Sequence, residues 1–166
     1  MKKKIISSNY TIFETAHYPI KNIKISPKKK LKHKAVLGIG GNIGDVMRRF
    51  ERLYWFLKRS KEVNIINSSP ILKNPPFGFL EQDDFYNAIL IISTSLTPRE
   101  LLYYLLRVEK KFGRKRTIPN GARTLDIDII FYDDISISCK ELTIPHHDWI
   151  NRDSVIIPLS LIKARN

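Results

Sequence analysis

Two acidic side chains alternate with aliphatic residues between Arg123 and Ile130, and their type and spacing suit metal chemistry. In an extended strand, residues two apart project from one face, about 6.6 to 6.8 Å apart along the backbone. Asp126 and Asp128 would then share a face, while the alternating aliphatic residues enter a core: Leu125, Ile127 and Ile129. Close carboxylates raise each other's pKa unless a cation neutralises them, and oxygen ligands favour Mg²⁺. Taken alone, a D-x-D pattern is more often a solvated strand edge.

A basic loop leads directly into the two aspartates. Its cationic side chains lie between residues 110 and 123: Lys110, Lys111, Arg114, Lys115, Arg116 and Arg123. A charge run is usually a solvated surface, but guanidinium groups beside an acidic metal site can hold the phosphates of a polyphosphate. Phosphoryl-type transfer depends mainly on such positioning and charge neutralisation. The sequence therefore indicates a phosphate-transfer site, and it shows no nucleophile with a nearby base.

Three glycines stand between a predicted strand and a predicted helix, at Gly38, Gly40 and Gly44. Their spacing is G-x-G-x-x-x-G, which differs from the dinucleotide-binding pattern G-x-G-x-x-G, and no alternating βαβ series follows. We interpret them as a tight turn with close backbone approach.

The elements that must position these residues follow from hydrophobic periodicity. Strands are predicted at 35–40, 63–72 and 85–94 and at the two aspartates, with helices at 45–59 and from Thr97 to near Gly113. Thr97, Pro98 and Glu100 form a capping box with proline in the first turn. The β-α-β-β-α-β order predicts an α+β fold of the ferredoxin-like kind, an antiparallel sheet with helices packed on it.

Length and composition predict one globular domain. The chain has 166 residues, 43% of them hydrophobic, and no apolar run long enough to span a bilayer. Cys139 is the only cysteine, which excludes an internal disulfide and fits a reducing cytoplasm. We expect a cytoplasmic monomer without a membrane partner.

The net charge of +13 is concentrated at the N-terminus. Residues 1–34 hold ten lysines and one acidic residue, Glu14, whereas the other 132 residues carry 19 basic and 15 acidic side chains. The lysine-dense segment 26–34 predicts a boundary between an N-terminal extension, 1–34, and a domain at 35–166. We expect a solubilising or loosely docked extension that could form a hairpin or an added edge strand. Nucleic acid is not an expected partner, because aromatic interleaving and a defined basic face are missing.

Several ordered segments resemble the 6-hydroxymethyl-7,8-dihydropterin pyrophosphokinase family of folate biosynthesis. The resemblance covers roughly residues 35 to 162 and rests on 37–42 (LGIGGN), 74–78 (NPPFG), 84–88 (DFYNA), Glu109 with Gly113-Arg114, 121–129 (GARTLDIDI), Pro145-His146, Asn151-Arg152 and Pro158-Leu159. The block G-[PA]-R-T-x-D-x-D-I followed by P-H is its most specific part.

The resemblance implies a ferredoxin-like fold and transfer of pyrophosphate from ATP to the pterin hydroxymethyl group, with release of AMP. It implies that Asp126 and Asp128 hold two Mg²⁺ ions, and that Arg114 and Arg123 contact the phosphates. The residues it places at ATP are Glu109, Arg114, Arg116, Arg123, Ile129, Thr143, His146 and Arg152. Those it places at the pterin are Asn74, Pro75, Pro76, Phe77, Phe85 and Asn87, with Phe85 stacking on the ring and Asn87 hydrogen-bonding its edge. This agrees with the preference of a flat heterocycle for an aromatic face and a two-sided amide.

The chain departs from the family pattern at three positions. Asn120 replaces a tryptophan on a mobile loop, Ser154 replaces the second aromatic that sandwiches the pterin, and Glu141 replaces a basic residue. His147 or Trp149 are candidates to cover the second pterin face. Two alternatives remain at this stage: a nucleic-acid-binding module that uses the lysine arm, and a non-catalytic paralogue.

Overall fold

The computed structural model describes residues 1–21 and 31–162. Its main sheet is antiparallel, in the order β1-β2-β5-β6-β3-β7, and β4 also pairs with β6. The strands of this sheet are β1 (Lys2–Ile5), β2 (Thr11–Glu14), β3 (His33–Gly41), β4 (Val63–Ser68), β5 (Ile71–Asn74), β6 (Phe85–Thr94) and β7 (Asp126–Tyr132). A separate hairpin pairs β8 (Ile137–Ser138) with β9 (Thr143–Ile144).

Three α-helices accompany the sheet within the described residues: α1 (Val46–Arg59), α2 (Pro98–Lys111) and α3 (Asp153–Ser160). The Asp45 side chain caps α1 by accepting from the Arg48 N–H over 3.0 Å. The predicted capping box between Thr97 and Glu100 is confirmed at α2. A 3₁₀ turn at Trp149–Asn151 precedes α3, whose start has no side-chain cap. None of the helices in 1–21 and 31–162 is long and apolar enough to cross a membrane.

The core forms where the apolar stripes of α1 and α2 face the sheet. The apolar stripe of α1 is buried throughout: Val46, Phe50, Leu53, Tyr54 and Leu57. In α2, Leu101, Leu105 and Val108 are buried, while Leu102 is half-buried. The mixed class, with helices packed on an antiparallel sheet, is thus confirmed.

The predicted strand at 63–72 is wrong as a single element. It is divided into β4 and β5, which both pair with β6. Pro70 lies between them and has no N–H to donate to a ladder. Ser69 keeps the segment attached, because its N–H donates to the Ile89 carbonyl over 2.9 Å and its hydroxyl oxygen accepts from the Ile89 N–H over 2.8 Å.

Residues 1–21 pack against the sheet, so the expected loosely docked extension is wrong, whereas the added strand is confirmed. Strand β2 pairs with β1 on one side and with β5 on the other. Tyr18 is fully buried, and its hydroxyl donates to the Phe50 carbonyl of α1 over 3.0 Å. The predicted linker at 26–34 lies mostly outside the described residues, and β3 begins at its end, at His33.

Candidate active site

The two aspartates lie on β7 as the alternation predicted. Leu125, Ile127 and Ile129 are buried in the core, and the side chains of Asp126 and Asp128 line one cavity on the other face. In the register between β3 and β7, Gly40 lies opposite Asp126 and Gly38 lies opposite Asp128. Because glycines face both carboxylates across the ladder, the sheet surface beside them stays open.

We call the space above these strands the central cavity. Its lining includes Gly38, Gly40, Asn74, Phe77, Phe85, Asn87, Asn120, Arg123, Asp126, Asp128, Ile130, Arg152, Ser154 and Val155. A Cβ at Gly40 would lie 2.6 Å from Oδ1 of Asn87, too close for any side chain. The close approach is thus confirmed at Gly40, but the predicted turn is wrong for Gly38 and Gly40, which lie within β3, and only Gly44, with a φ of +68°, lies in the turn before α1.

Arg114 and Arg123 both bind Asp126. Nη1 of Arg123 lies 2.7 Å from Asp126 Oδ2, and Nη1 of Arg114 contacts the other oxygen of the same carboxylate. The three side chains are largely shielded from solvent, which strengthens their attraction. The structure therefore brings together the predicted phosphate-binding arginines and a predicted metal ligand.

Glu109 binds the same nitrogen of Arg114 that contacts Asp126. Its Oε1 lies 2.8 Å from Arg114 Nη1 and accepts from the Ile127 N–H over 2.8 Å. Burial raises the pKa of Glu109, and the Ile127 N–H and Arg114 oppose that rise. The structure thus places Glu109 behind the site, as a link between α2 and β7. Arg116 is exposed, with its Nη2 3.9 Å from Glu109 Oε2.

Asp128 lies beside Asp126 in the lining of the same cavity. Burial, with Asp126 as the next cause, raises the pKa of Asp128 to about 7, and Arg152 opposes the rise. Within 1–21 and 31–162, no ion pair to this carboxylate is found within 4.0 Å. A buried carboxylate next to a second one, both facing a cavity, is a donor set suited to a hard divalent cation.

A second space, which we call the side recess, adjoins the central cavity at Asp128. Its lining includes Leu102, Ile127, Asp128, Ile129, Lys140, Glu141, Leu142, Thr143, His146 and His147. It therefore collects Ile129, Thr143 and His146, three of the residues predicted at ATP. Burial and then Arg152 lower the pKa of His146, which favours its neutral form at pH 7.

Four of the residues predicted at the pterin line the central cavity: Asn74, Phe77, Phe85 and Asn87. Nδ2 of Asn87 donates to Asn74 Oδ1 over 2.7 Å. Guanidinium groups already cover one face of each ring, with Arg123 5.1 Å from the Phe85 centroid and Arg152 5.7 Å from that of Phe77. Pro75 and Pro76 are not part of this lining.

The three departures from the family pattern have definite places. Asn120 and Ser154 line the central cavity, and Glu141 lines the side recess. Neither suggested replacement for a second pterin face reaches the central cavity. His147 lies in the side recess, and Trp149 packs edge-on against Phe131 at 4.9 Å.

Asn42 and Gln82 connect the loops around the central cavity through hydrogen bonds, and the sequence pattern predicted no role for either side chain. Asn42 accepts from the Arg123 N–H over 2.9 Å and donates to Gln82 Oε1 over 3.0 Å. Gln82 in turn donates to the Asn120 carbonyl over 2.8 Å. This loop contact uses a backbone oxygen, so it does not require a tryptophan at 120. Asn42 directly follows the glycines and could have been suspected, whereas nothing in the pattern singles out Gln82.

Comparison with known proteins agrees with this geometry. The family model for 7,8-dihydro-6-hydroxymethylpterin-pyrophosphokinase (HPPK) matches residues 36–164. The chain belongs to this family. A curated HPPK of Helicobacter pylori is 39% identical over 138 residues, covering 81% of this chain and 85% of the relative. One from Campylobacter jejuni is 41% identical over 134 residues, with the same coverage, and one from Synechocystis is 39% identical over 130 residues.

These relatives are named 2-amino-4-hydroxy-6-hydroxymethyldihydropteridine pyrophosphokinase. The resemblance inferred from the ordered segments is therefore confirmed. The HPPK match begins at residue 36, so the hairpin of β1 and β2 lies before the matched region.

Proposed function

We propose that this chain transfers the β,γ-pyrophosphoryl group of ATP to the hydroxymethyl group of 6-hydroxymethyl-7,8-dihydropterin and releases AMP. The observation that carries this proposal is that Asp128 lines both the central cavity and the side recess. A two-substrate transfer needs two adjoining sites with charge neutralisation between them. The paired aspartates and the arginines at Asp126 supply that charge.

In this assignment the pterin occupies the central cavity. Phe85 and Phe77 offer apolar ring faces, and the amides of Asn74 and Asn87 offer donors and acceptors for the edge of the heterocycle. Because Asn87 Nδ2 is engaged by Asn74, the Asn87 side chain is held in one orientation before the substrate arrives. Pro75 and Pro76 act by shaping the turn after Asn74.

ATP occupies the side recess, with its phosphates directed toward Asp128. Ile129 and Thr143 border the nucleotide, and His146 faces it in its neutral form. Arg114, Arg123 and Arg152 contact the phosphates, while Glu109 positions Arg114 and Arg116 lies at the rim. Guanidinium groups suit this task because they bind phosphate oxygens in pairs.

Asp126 and Asp128 are the residues that would hold magnesium, for which we propose two ions. Bound Mg²⁺ neutralises phosphate charge and fixes the orientation of the oxygens it binds. The raised pKa of Asp128 supports the assignment, since a buried carboxylate pair is more stable with a cation beside it. The pterin hydroxyl attacks the β-phosphorus directly, and we assign no general base.

For the fold, we propose a ferredoxin-like core built from β3, α1, β4 with β5, β6, α2 and β7. The adjacency of β6 to β3 and of β3 to β7 supports it. Residues 1–34 act as an extension of a domain at 35–166. We expect the protein to work as a cytoplasmic monomer.

The test is turnover by the purified full-length chain. With MgATP and 6-hydroxymethyl-7,8-dihydropterin, we expect stoichiometric AMP and pterin diphosphate, separated by chromatography. Asp126→Ala and Asp128→Ala should abolish both products. If no AMP forms although calorimetry shows binding of both ligands, the transfer reaction is wrong. Full turnover by either aspartate variant would refute the metal assignment.

A further inference from the structure

The N-terminal hairpin extends the sheet on the side that carries Asn74. Strand β2 pairs with β5 through Thr11 to Lys73, Ile12 to Leu72 and Phe13 to Ile71. The next residue of β5 is Asn74, whose side chain lines the central cavity. A segment that precedes the region matched by the family model therefore supports one wall of the site.

A second contact links this hairpin to the opposite wall. The Tyr10 hydroxyl donates a hydrogen bond to Oδ2 of Asp153, the first residue of α3. The neighbours of Asp153 in the chain are Arg152 and Ser154, and both line the central cavity. The hairpin thus touches the start of the helix that presents these two side chains.

Backbone hydrogen bonds hold Tyr10 in place within the hairpin. Its carbonyl accepts from the N–H groups of Ile6 and Ser7, over 2.9 and 3.3 Å, and so closes the hairpin turn. The chain that follows is anchored in the core by Phe13 and Tyr18. The contact with Asp153 therefore joins two fixed elements.

The start of α3 has no side-chain cap of its own, so the Tyr10 hydroxyl gives it a side-chain contact from outside the helix. Arg152 occupies the N-cap position without a side-chain cap, and Pro158 interrupts the backbone hydrogen bonding of a helix only eight residues long. The Tyr10 hydrogen bond is exposed, so it adds little to global stability. Its effect is expected in the geometry of the site.

We propose that Tyr10 is a positioning residue for the pterin side of the active site. Through Asp153 it fixes the start of α3, and with it Arg152 and Ser154, while β2 fixes Asn74 through β5. This inference rests on the proposed assignment of the central cavity to the pterin. A tail that served solubility alone would need no hydrogen bond to α3.

The experiment removes one hydroxyl, because deleting the hairpin would also take Phe13 and Tyr18 from the core. In Tyr10→Phe, we expect the Kd for the pterin, measured by calorimetry with a non-hydrolysable MgATP analogue, to rise about three- to tenfold. The Tm should stay at the wild-type value. Tyr104→Phe is the matched control, since it removes a hydroxyl that donates to Ser60 Oγ over 3.0 Å, away from the cavity.

A double-mutant cycle assigns the effect to the contact itself. Asp153→Ala should weaken pterin binding as much as Tyr10→Phe does, and the double variant no further. Asp153→Asn, which keeps an acceptor oxygen, should bind nearly as the wild type. An unchanged pterin Kd in Tyr10→Phe, or additive losses in the double variant, would overturn the inference and leave the reaction assignment intact. Failure of the wild type itself to bind pterin would overturn both.

Discussion

Nδ2 of Asn87 donates a hydrogen bond to Oδ1 of Asn74 over 2.7 Å, and this leaves Oδ1 of Asn87 beside the backbone of Gly40. Three strands therefore fix one amide: β6 carries it, β5 orients it, and β3 leaves room for it. Such an arrangement is prepared to recognise a planar ligand without reorganisation, which reduces the entropic cost of binding.

Gly40→Ala should disrupt this amide. The added methyl would lie 2.6 Å from Oδ1 of Asn87, so Asn87 must rotate and break its bond to Asn74. We expect overpacking to lower the free energy of unfolding by about 1 to 3 kcal/mol. Pterin binding, measured by calorimetry, should weaken at least as strongly as in Asn87→Ala.

Gly38→Ala provides the comparison for Gly40→Ala on the same strand. Its methyl would meet Cδ1 of Ile130 at 3.2 Å, which is the movable end of a flexible side chain. We therefore expect a smaller loss of stability and of pterin affinity. Equal effects of the two substitutions would contradict the special role of the Asn87 amide.

Glu109→Gln should weaken the support of Arg114. The amide oxygen can still accept from the Ile127 N–H, but the negative charge that the Arg114 guanidinium binds at this oxygen is removed. We expect the free energy of unfolding, from urea titration, to fall by about 1 to 3 kcal/mol, because a buried charged hydrogen bond is lost. Turnover should fall with it as Arg114 loses its position.

Arg116→Ala is the control for this prediction, since Arg116 is exposed and its Nη2 lies 3.9 Å from the same carboxylate. Such a solvent-exposed partner contributes little, so stability should change by less than about 0.5 kcal/mol. A larger loss of stability in Arg116→Ala than in Glu109→Gln would show that Arg114 is not the main partner of Glu109.

Asp128→Asn should stabilise the metal-free protein while it abolishes turnover. Burial raises the pKa of Asp128 from 3.8 to about 7 in the folded chain, so the folded state binds a proton more tightly than the unfolded state. The charged Asp128 side chain therefore destabilises the folded wild-type protein. This effect is absent below pH 4, grows between pH 4 and 7, and is complete above about pH 7. Asparagine is neutral at every pH, so the Asp128→Asn variant avoids this loss of stability.

The measurement is the Tm in the presence of a chelator at several pH values. We expect the advantage of Asp128→Asn over the wild type to increase from pH 5 to pH 8 and to shrink when magnesium is added to both. A Tm difference that does not depend on pH would contradict the assignment of this effect to the buried carboxylate.

Local patterns predicted the elements that carry the chemistry. The alternation around Asp126 and Asp128 fixed both the strand and its buried face, and the capping box at Thr97 fixed the start of α2. Contacts between distant residues left no such pattern. Glu109 is separated from Ile127 by 18 residues and Tyr10 from Asp153 by 143, so their pairing follows only from the folded sheet. The lysine content of residues 1–34 likewise gave no indication that Phe13 and Tyr18 pack in the core.

Ser154→Phe should add an aromatic ring at the cavity position where the family pattern has its second stacking residue. Ser154 lines the cavity at the start of α3, and neither His147 nor Trp149 reaches that position. A stacked aromatic pair contributes about 0.5 to 1.5 kcal/mol, so the pterin Kd should fall by roughly two- to tenfold. The KM for MgATP should stay unchanged, because the side recess is not altered.

Ser160→Phe is the matched substitution for this test, at the exposed C-terminal end of the same helix, and it should leave the pterin Kd unchanged. Quenching of the tryptophan fluorescence by bound pterin gives a second readout, since tighter binding should move the midpoint of the titration to a lower pterin concentration. Weaker binding in Ser154→Phe with an unchanged Tm would mean that the pterin uses the space beside Ser154 directly. The second face of the ring would then be covered by substrate contacts other than stacking.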